Sequence, residues 1–113
     1  MASTVDRRFT TTGNELPGFA IRQNLGMVRG ITVRNPNVGK AIIGGFAALA
    51  GGENSIYLEM AEKSRETAFV RLLQQAAQVG GNGVIGIRFD CQEVVQGMTE
   101  VCCYGTAVVI EKC

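Results

Sequence analysis

Apolar and polar positions alternate with a period of two in three stretches of the chain and follow a helical period in one, which predicts a small sheet carrying one long helix. Between Phe19 and Arg29, the residues Phe19, Ile21, Gln23, Leu25 and Met27 fall on one side, and Ala20, Arg22, Asn24 and Val28 on the other. The first set is the expected core face. Gly26 inside this strand predicts a bulge or a close backbone approach. Ile31 to Arg34 extends the strand, and Asn35-Pro36-Asn37 stops it. A shorter run, Phe9 to Thr12, ends at Gly13-Asn14-Glu15 and reads as an edge strand. Having few partners of its own, it is expected to complete a neighbouring copy's sheet.

From Ile56 to Val79 the chain is built from good helix formers. At 100° per residue, Tyr57, Ala61, Ser64, Ala68, Leu72, Gln75, Ala76 and Val79 make one stripe, small enough to let the axis lie close to a sheet. Leu58, Phe69 and Leu73 widen it, while Ile56, Met60 and Val70 form a separate apolar arc that implies a second contact. Gly80-Gly81-Asn82-Gly83 ends the helix. Val84 to Val94 then alternates, with Ile85, Ile87, Phe89 and Cys91 on one face, and Thr99 to Ile110 returns after a turn at Gln96-Gly97. A weaker helical stretch, Val38 to Leu49 behind a cap at Asn37, contains Gly39, Gly44 and Gly45 and needs tertiary support. The fold class is α+β, a small antiparallel sheet packed by one long helix, in a single domain over residues 9–113 behind a flexible leader of residues 1–8.

Composition narrows the class. Of the 113 residues 46% are apolar but only 6% aromatic, and Trp is absent, so the core is built from Ala, Val, Ile and Leu. A core that thin is expected to be completed by a partner subunit. Eleven basic and ten acidic residues leave a net charge of +1, which gives a nucleic acid no electrostatic footprint. The first residues show no secretory pattern, and Ala41 to Gly52 falls short of the roughly 20 residues that span a bilayer. A cytoplasmic location without membrane contact is expected, with the four cysteines reduced.

Several strings occur in an order and spacing that resembles the YbjQ-like family, named for heavy-metal binding, over roughly residues 9–110. They are Phe9-Thr10-Thr11-Thr12, Gly51-Gly52 ahead of Tyr57, the helix positions Ala61, Arg65, Ala68 and Leu72, Gly80-Gly81-Asn82-Gly83-Val84-Ile85-Gly86-Ile87, and Gly105-Thr106-Ala107-Val108. The resemblance implies a βαββ core like a dodecin subunit. It also implies extra short strands and a short glycine-rich helix that link subunits into a ring, usually a homopentamer. The chain departs from the family pattern with Glu53-Asn54 where a basic residue commonly follows the glycine pair. It departs again with Arg88 and Cys91, where acidic and aromatic residues are common.

The cysteines are the chemically suggestive set. A two-residue turn at Gln96-Gly97 sets Cys91 opposite Cys102, with Cβ atoms about 5 Å apart, and a one-residue change in the loop substitutes Cys103. Two thiolates suit soft ions such as Cu(I) or Zn(II), which makes Cys91, Cys102 and Cys103 the candidate metal ligands. With no histidine and no Cys-x-x-Cys, one chain offers too few soft ligands for a closed tetrahedral site, so packing is the leading role and no cofactor is expected. Gly39-Lys40-Ala41 lacks the hydroxyl of a phosphate-binding loop. The glycines from Gly44 to Gly52 either pack between subunits or cradle an anion at the start of the long helix. Arg65, at the stripe's edge, is a paired structural arginine or, less readily, a substrate clamp. No nucleophile has a base beside it in any recognisable motif. The expected function is a non-enzymatic homo-oligomer binding a small ligand or partner at its subunit interfaces, with thiol-dependent metal binding as the alternative.

Overall fold

The computed structural model describes residues 3–34, 55–95 and 97–113. The expected glycine-rich helix, its Asn37 cap and the glycines from Gly44 to Gly52 lie outside the described residues, as do the side chains of Ile56 and Tyr57. Strand β1 (Phe19–Arg34), helix α1 (Ser55–Gln78), strand β2 (Gly83–Val95) and strand β3 (Met98–Lys112) follow in the expected order. The strands form one antiparallel sheet in the order β1-β3-β2.

Both outer strands are longer than simple alternation allows, because each carries bulges. On β1 the pairing shifts between Ile21 and Gln23 and again between Asn24 and Gly26, where Gly26 takes φ 95°. Each bulge inserts one residue and reverses which side chains face the core. The two reversals cancel, so Phe19, Ile21 and Met27 share the face away from the helix, where only Phe19 is packed, Met27 is 69% exposed and Ile21 is also exposed, whereas Val28 on the helix side is buried. On β2 a bulge between Ile85 and Arg88 centres on Gly86, at φ 62°. It separates Ile85 from Ile87, which the alternation had placed together: Val84 and Ile87 join the helix-side core, and Ile85 packs on the opposite face.

The helix meets the sheet through small residues, as expected. Ala68, Leu72 and Ala76 are fully buried, Leu73 nearly so, and Val79 at the expected end of the stripe is exposed beyond the helix. Below them lies Gly30, where a Cβ atom would overlap the Ala68 carbonyl oxygen and the Leu72 amide. The Arg29 N–H donates to Gln75 Oε1 at 2.6 Å, and Arg71 Nη1 donates to the Ile31 carbonyl at 2.6 Å, fastening the helix to β1. With strands spaced about 4.8 Å apart and a helix about 10 Å across, one helix covers only about two strands. It lies mainly over β1 and β3 and reaches β2 little, leaving the outer part of the helix-side face of β2 without helix cover.

The chain ahead of β1 closes part of that gap. Val5, in the expected leader, is only 4% exposed, and its N–H donates to the Leu73 carbonyl. Asp6 caps a 3-10 turn over Arg7–Phe9 by accepting the Arg8 N–H. The run expected as an edge strand makes one parallel bridge, Thr10 with Val84, because Thr11 and Gly13 bond along the outer edge of the chain's own β2. The expected handover of Phe9–Thr12 to a neighbour thus gives way to pairing within the subunit. The segment then crosses to the other face, where Leu16, Phe9 and Phe19 cover Val108 and Ile110. After the helix, Asn82 mimics a strand residue: its Oδ1 accepts from the Ile110 N–H at 2.7 Å and its Nδ2 donates to the Ile110 carbonyl at 3.0 Å.

Candidate functional site

The uncovered part of β2 forms a groove between α1, the N-terminal segment and the strand itself, with a volume of about 500 Å3. Ile87 and Phe89 from β2 and Phe69 from α1 give it an apolar floor, Thr10 to Thr12 one polar wall, and Glu62 and Arg65 the other. After the Gly86 bulge, Ile87, Phe89 and Cys91 all face the helix side. A half-exposed phenylalanine there is the direct result of having one helix for three strands.

The charges around the groove are arranged through its aromatic rings. Arg7 forms an ion pair with Glu66 and lies 4.9 Å from the Phe69 ring centroid. The Arg65 guanidinium lies 5.6 Å from the Phe89 centroid, and its Nη2 is 3.9 Å from Cys91 Sγ. Among the described residues Arg65 makes no ion pair, and its partners there are the Phe89 ring and the Cys91 sulfur. Its guanidinium stacks over the aromatic face, an arrangement that guanidinium favours.

The three cysteines do not converge. Val95 pairs with Met98 across a two-residue turn containing Gly97 at φ 80°, as expected, but the pairing shifts between Glu93 and Val95. That single extra residue moves every partner by one, so Cys91 faces Val101, Asp90 faces Cys102, and Phe89 faces Cys103. The expected pairing of Cys91 with Cys102 is thereby corrected, and the two lie on opposite faces. Cys91 shares the helix-side face with Cys103, diagonally displaced at about 7–8 Å. Cys103 is 0% exposed, and burial pushes its thiol up to about 12, with a smaller contribution from Cys102. Burial, and next Glu100, raises the Cys102 thiol too. Cys91 and Cys113 are exposed.

A soft metal ion does not fit this set within one subunit. The thiolate is the ligand, and Cys103 holds its proton far above neutral pH. Among the described residues no three Cys, Asp or Glu side chains come together as a metal site.

Sequence reasoning named Arg65 and the threonine run but did not bring them together. Their meeting depends on the N-terminal segment returning along β2, for which the chain gives no periodic signal.

Residues 9–111 match the profile of the YbjQ family, described as "Putative heavy-metal-binding". The chain is 46% identical over 100 residues to a UPF0145 protein of Legionella pneumophila, spanning 88% of this chain and 95% of that one. It is 44% identical over 104 residues to a UPF0145 protein of Chromobacterium violaceum, spanning 92% and 89%. A crystal structure of a protein of unknown function from the DUF74 family of Pediococcus pentosaceus has a similar fold. It aligns with a TM-score of 0.58 at 20% identity, covering 91% of this chain and 97% of that one.

Proposed function

The chain belongs to the YbjQ family, and from that membership we propose that it works as a non-enzymatic cytoplasmic homo-oligomer, a pentameric ring, taking a small ligand or partner where its copies meet. One observation carries the reading. The described residues form an elongated body, 55 × 26 × 26 Å with a radius of gyration of 17.1 Å, where a compact chain of this length gives about 13 Å. The excess length is the far end of the hairpin and of β1, which carries apolar side chains without cover among the described residues. Leu58 is 62% exposed and Val95 56%, and Val33 and Val94 are also exposed. Apolar surface gathered at one end marks an interaction site. The groove opens toward that end through Phe89, so a neighbouring copy could complete it. The number five comes from the resemblance.

Light scattering at micromolar concentration tests the assembly, and native mass spectrometry of freshly purified protein tests for a bound small molecule. A multimer carrying a reproducible extra mass supports the reading, and a monomer refutes it.

The family's description raises a second reading, soft-metal binding through Cys91 with Cys102 or Cys103. Since those thiols do not converge within one subunit, it needs ligands from more than one copy. Protein purified without added ions is expected to hold no stoichiometric zinc or copper by elemental analysis. Stoichiometric metal that disappears in Cys91→Ser would promote the second reading over the first.

A further inference from the structure

We propose a separate binding site, for a compact phosphate-bearing molecule, in the cleft between the end of β1 and the first half of α1. The cleft encloses about 320 Å3, at the small end of ligand sites. It exists because Gly30 brings strand and helix backbones into contact at Ala68 and Leu72, and the two elements diverge beyond that point. Thr32 and Arg34 lie two and four residues past Gly30 and so share its face, while Met60, Lys63, Ser64 and Thr67 share one side of the helix by their spacing of three and four.

The walls thus bring together two cations and three hydroxyls, with no carboxylate among the described residues. Among the described residues neither Arg34 nor Lys63 makes an ion pair. Arg34 Nε is buried from water without an acceptor among them. Buried donors are nearly always satisfied, so this one calls for an acceptor in the cleft. Ser64 Oγ and Thr67 Oγ1 donate to the carbonyls of Met60 and Lys63, each at 2.9 Å, and can turn those protons to a ligand.

A phosphate ester matches better than a carboxylate. Its charge of nearly −2 balances both cations, and its oxygens fit the guanidinium fork. The remaining volume takes a short organic part against Met60. The site lies on the opposite flank of α1 from the groove at Phe89 and stands whether or not the chain assembles.

Titration calorimetry on the full chain, in buffer free of phosphate, with glycerol 3-phosphate and inorganic phosphate as probes, tests this. Saturable binding of the ester is expected, weakened at least tenfold in Arg34→Gln and in Lys63→Gln. Arg22→Gln, which removes a cation paired with Glu111 elsewhere, should leave it unchanged. Lys63 is exposed on the helix, so its variant keeps the test usable should Arg34→Gln fail to fold. No saturable heat with either probe at millimolar concentration would overturn the proposal. So would equal weakening by Lys63→Gln and Arg22→Gln, which would reduce the effect to general charge attraction.

Discussion

Cys103 shows how one side chain can be both structural and diagnostic. Its thiol has an ordinary value of 9.0 and is raised to about 12 in the fold, so an unfolded chain releases a proton that the native one keeps. The stability this contributes is whole below pH 9 and is lost as pH rises toward 12. Urea midpoints measured between pH 8 and pH 10.5 should therefore fall more steeply for the wild type than for Cys103→Ala. The same burial predicts thiol reactivity: Cys91 and Cys113 should react with a disulfide reagent in the native protein, and Cys103 only after unfolding. Equal reaction of all four would show that Cys103 is not in the core. The sequence made these thiols look like a set because a two-residue hairpin turn was legible at Gln96-Gly97. The extra residue near Val94 was not, since a bulge without a glycine leaves no mark in composition. One residue separates a plausible dithiol pair from thiols on opposite faces.

Among the elements, helix α1 was readable almost to its ends because a long run of good formers with an alanine stripe leaves no competing structure. Its contact with β1 depends on Ala68 above and Gly30 below, both backbone-close. Ala68→Leu should cost about 1–3 kcal/mol by overpacking, and Gly30→Ala at least as much, since the obstacle there is helix backbone and cannot rotate away. Thermal or chemical denaturation checks both, and an unchanged midpoint would mean that the helix does not rest on this strand. The strands were harder. Their extents were legible, but their buried faces were not, because the bulge on β2 reverses its alternation partway along, and on β1, where two reversals cancel, the expected face turns away from the helix. Gly26 flagged one reversal, and Gly86 could have flagged another. The N-terminal segment misled most, since Phe9 to Thr12 has strand composition yet bonds lengthwise to β2 through only a few amides. Removing residues 1–12 takes away buried Val5 and those hydrogen bonds, and should destabilise the subunit itself by about 3 kcal/mol or more. A shortened chain that dissociates but keeps the wild-type melting temperature would contradict that.

At the scale of the whole molecule, cover is unevenly distributed along a subunit 55 Å long. At one end the sheet is packed on both faces, by α1 and Val5 on one side and by Leu16, Phe9 and Phe19 on the other. At the far end the hairpin, the last turn of β1 and the start of α1 leave Val33, Leu58, Val94 and Val95 in solvent among the described residues. Among the described residues, the outer edge of β1 is not paired with any other strand of the sheet. An end left bare and a strand edge left open among the described residues offer two different patches, and a contact between unlike patches on successive copies closes into a ring when its rotation divides the circle. Since the N-terminal segment is spent within its own subunit, assembly should depend on the far end. Light scattering should then give a mass several times 12.0 kDa for the wild type. Val95→Asp, at a side chain that supports nothing in its own core, should shift that mass toward the monomer while leaving the circular dichroism spectrum unchanged. Val5→Ala should lower the melting temperature without first changing the mass. If Val95→Asp retains the full mass, the far end is not the junction, and a ligand site completed there by a neighbouring copy loses its basis.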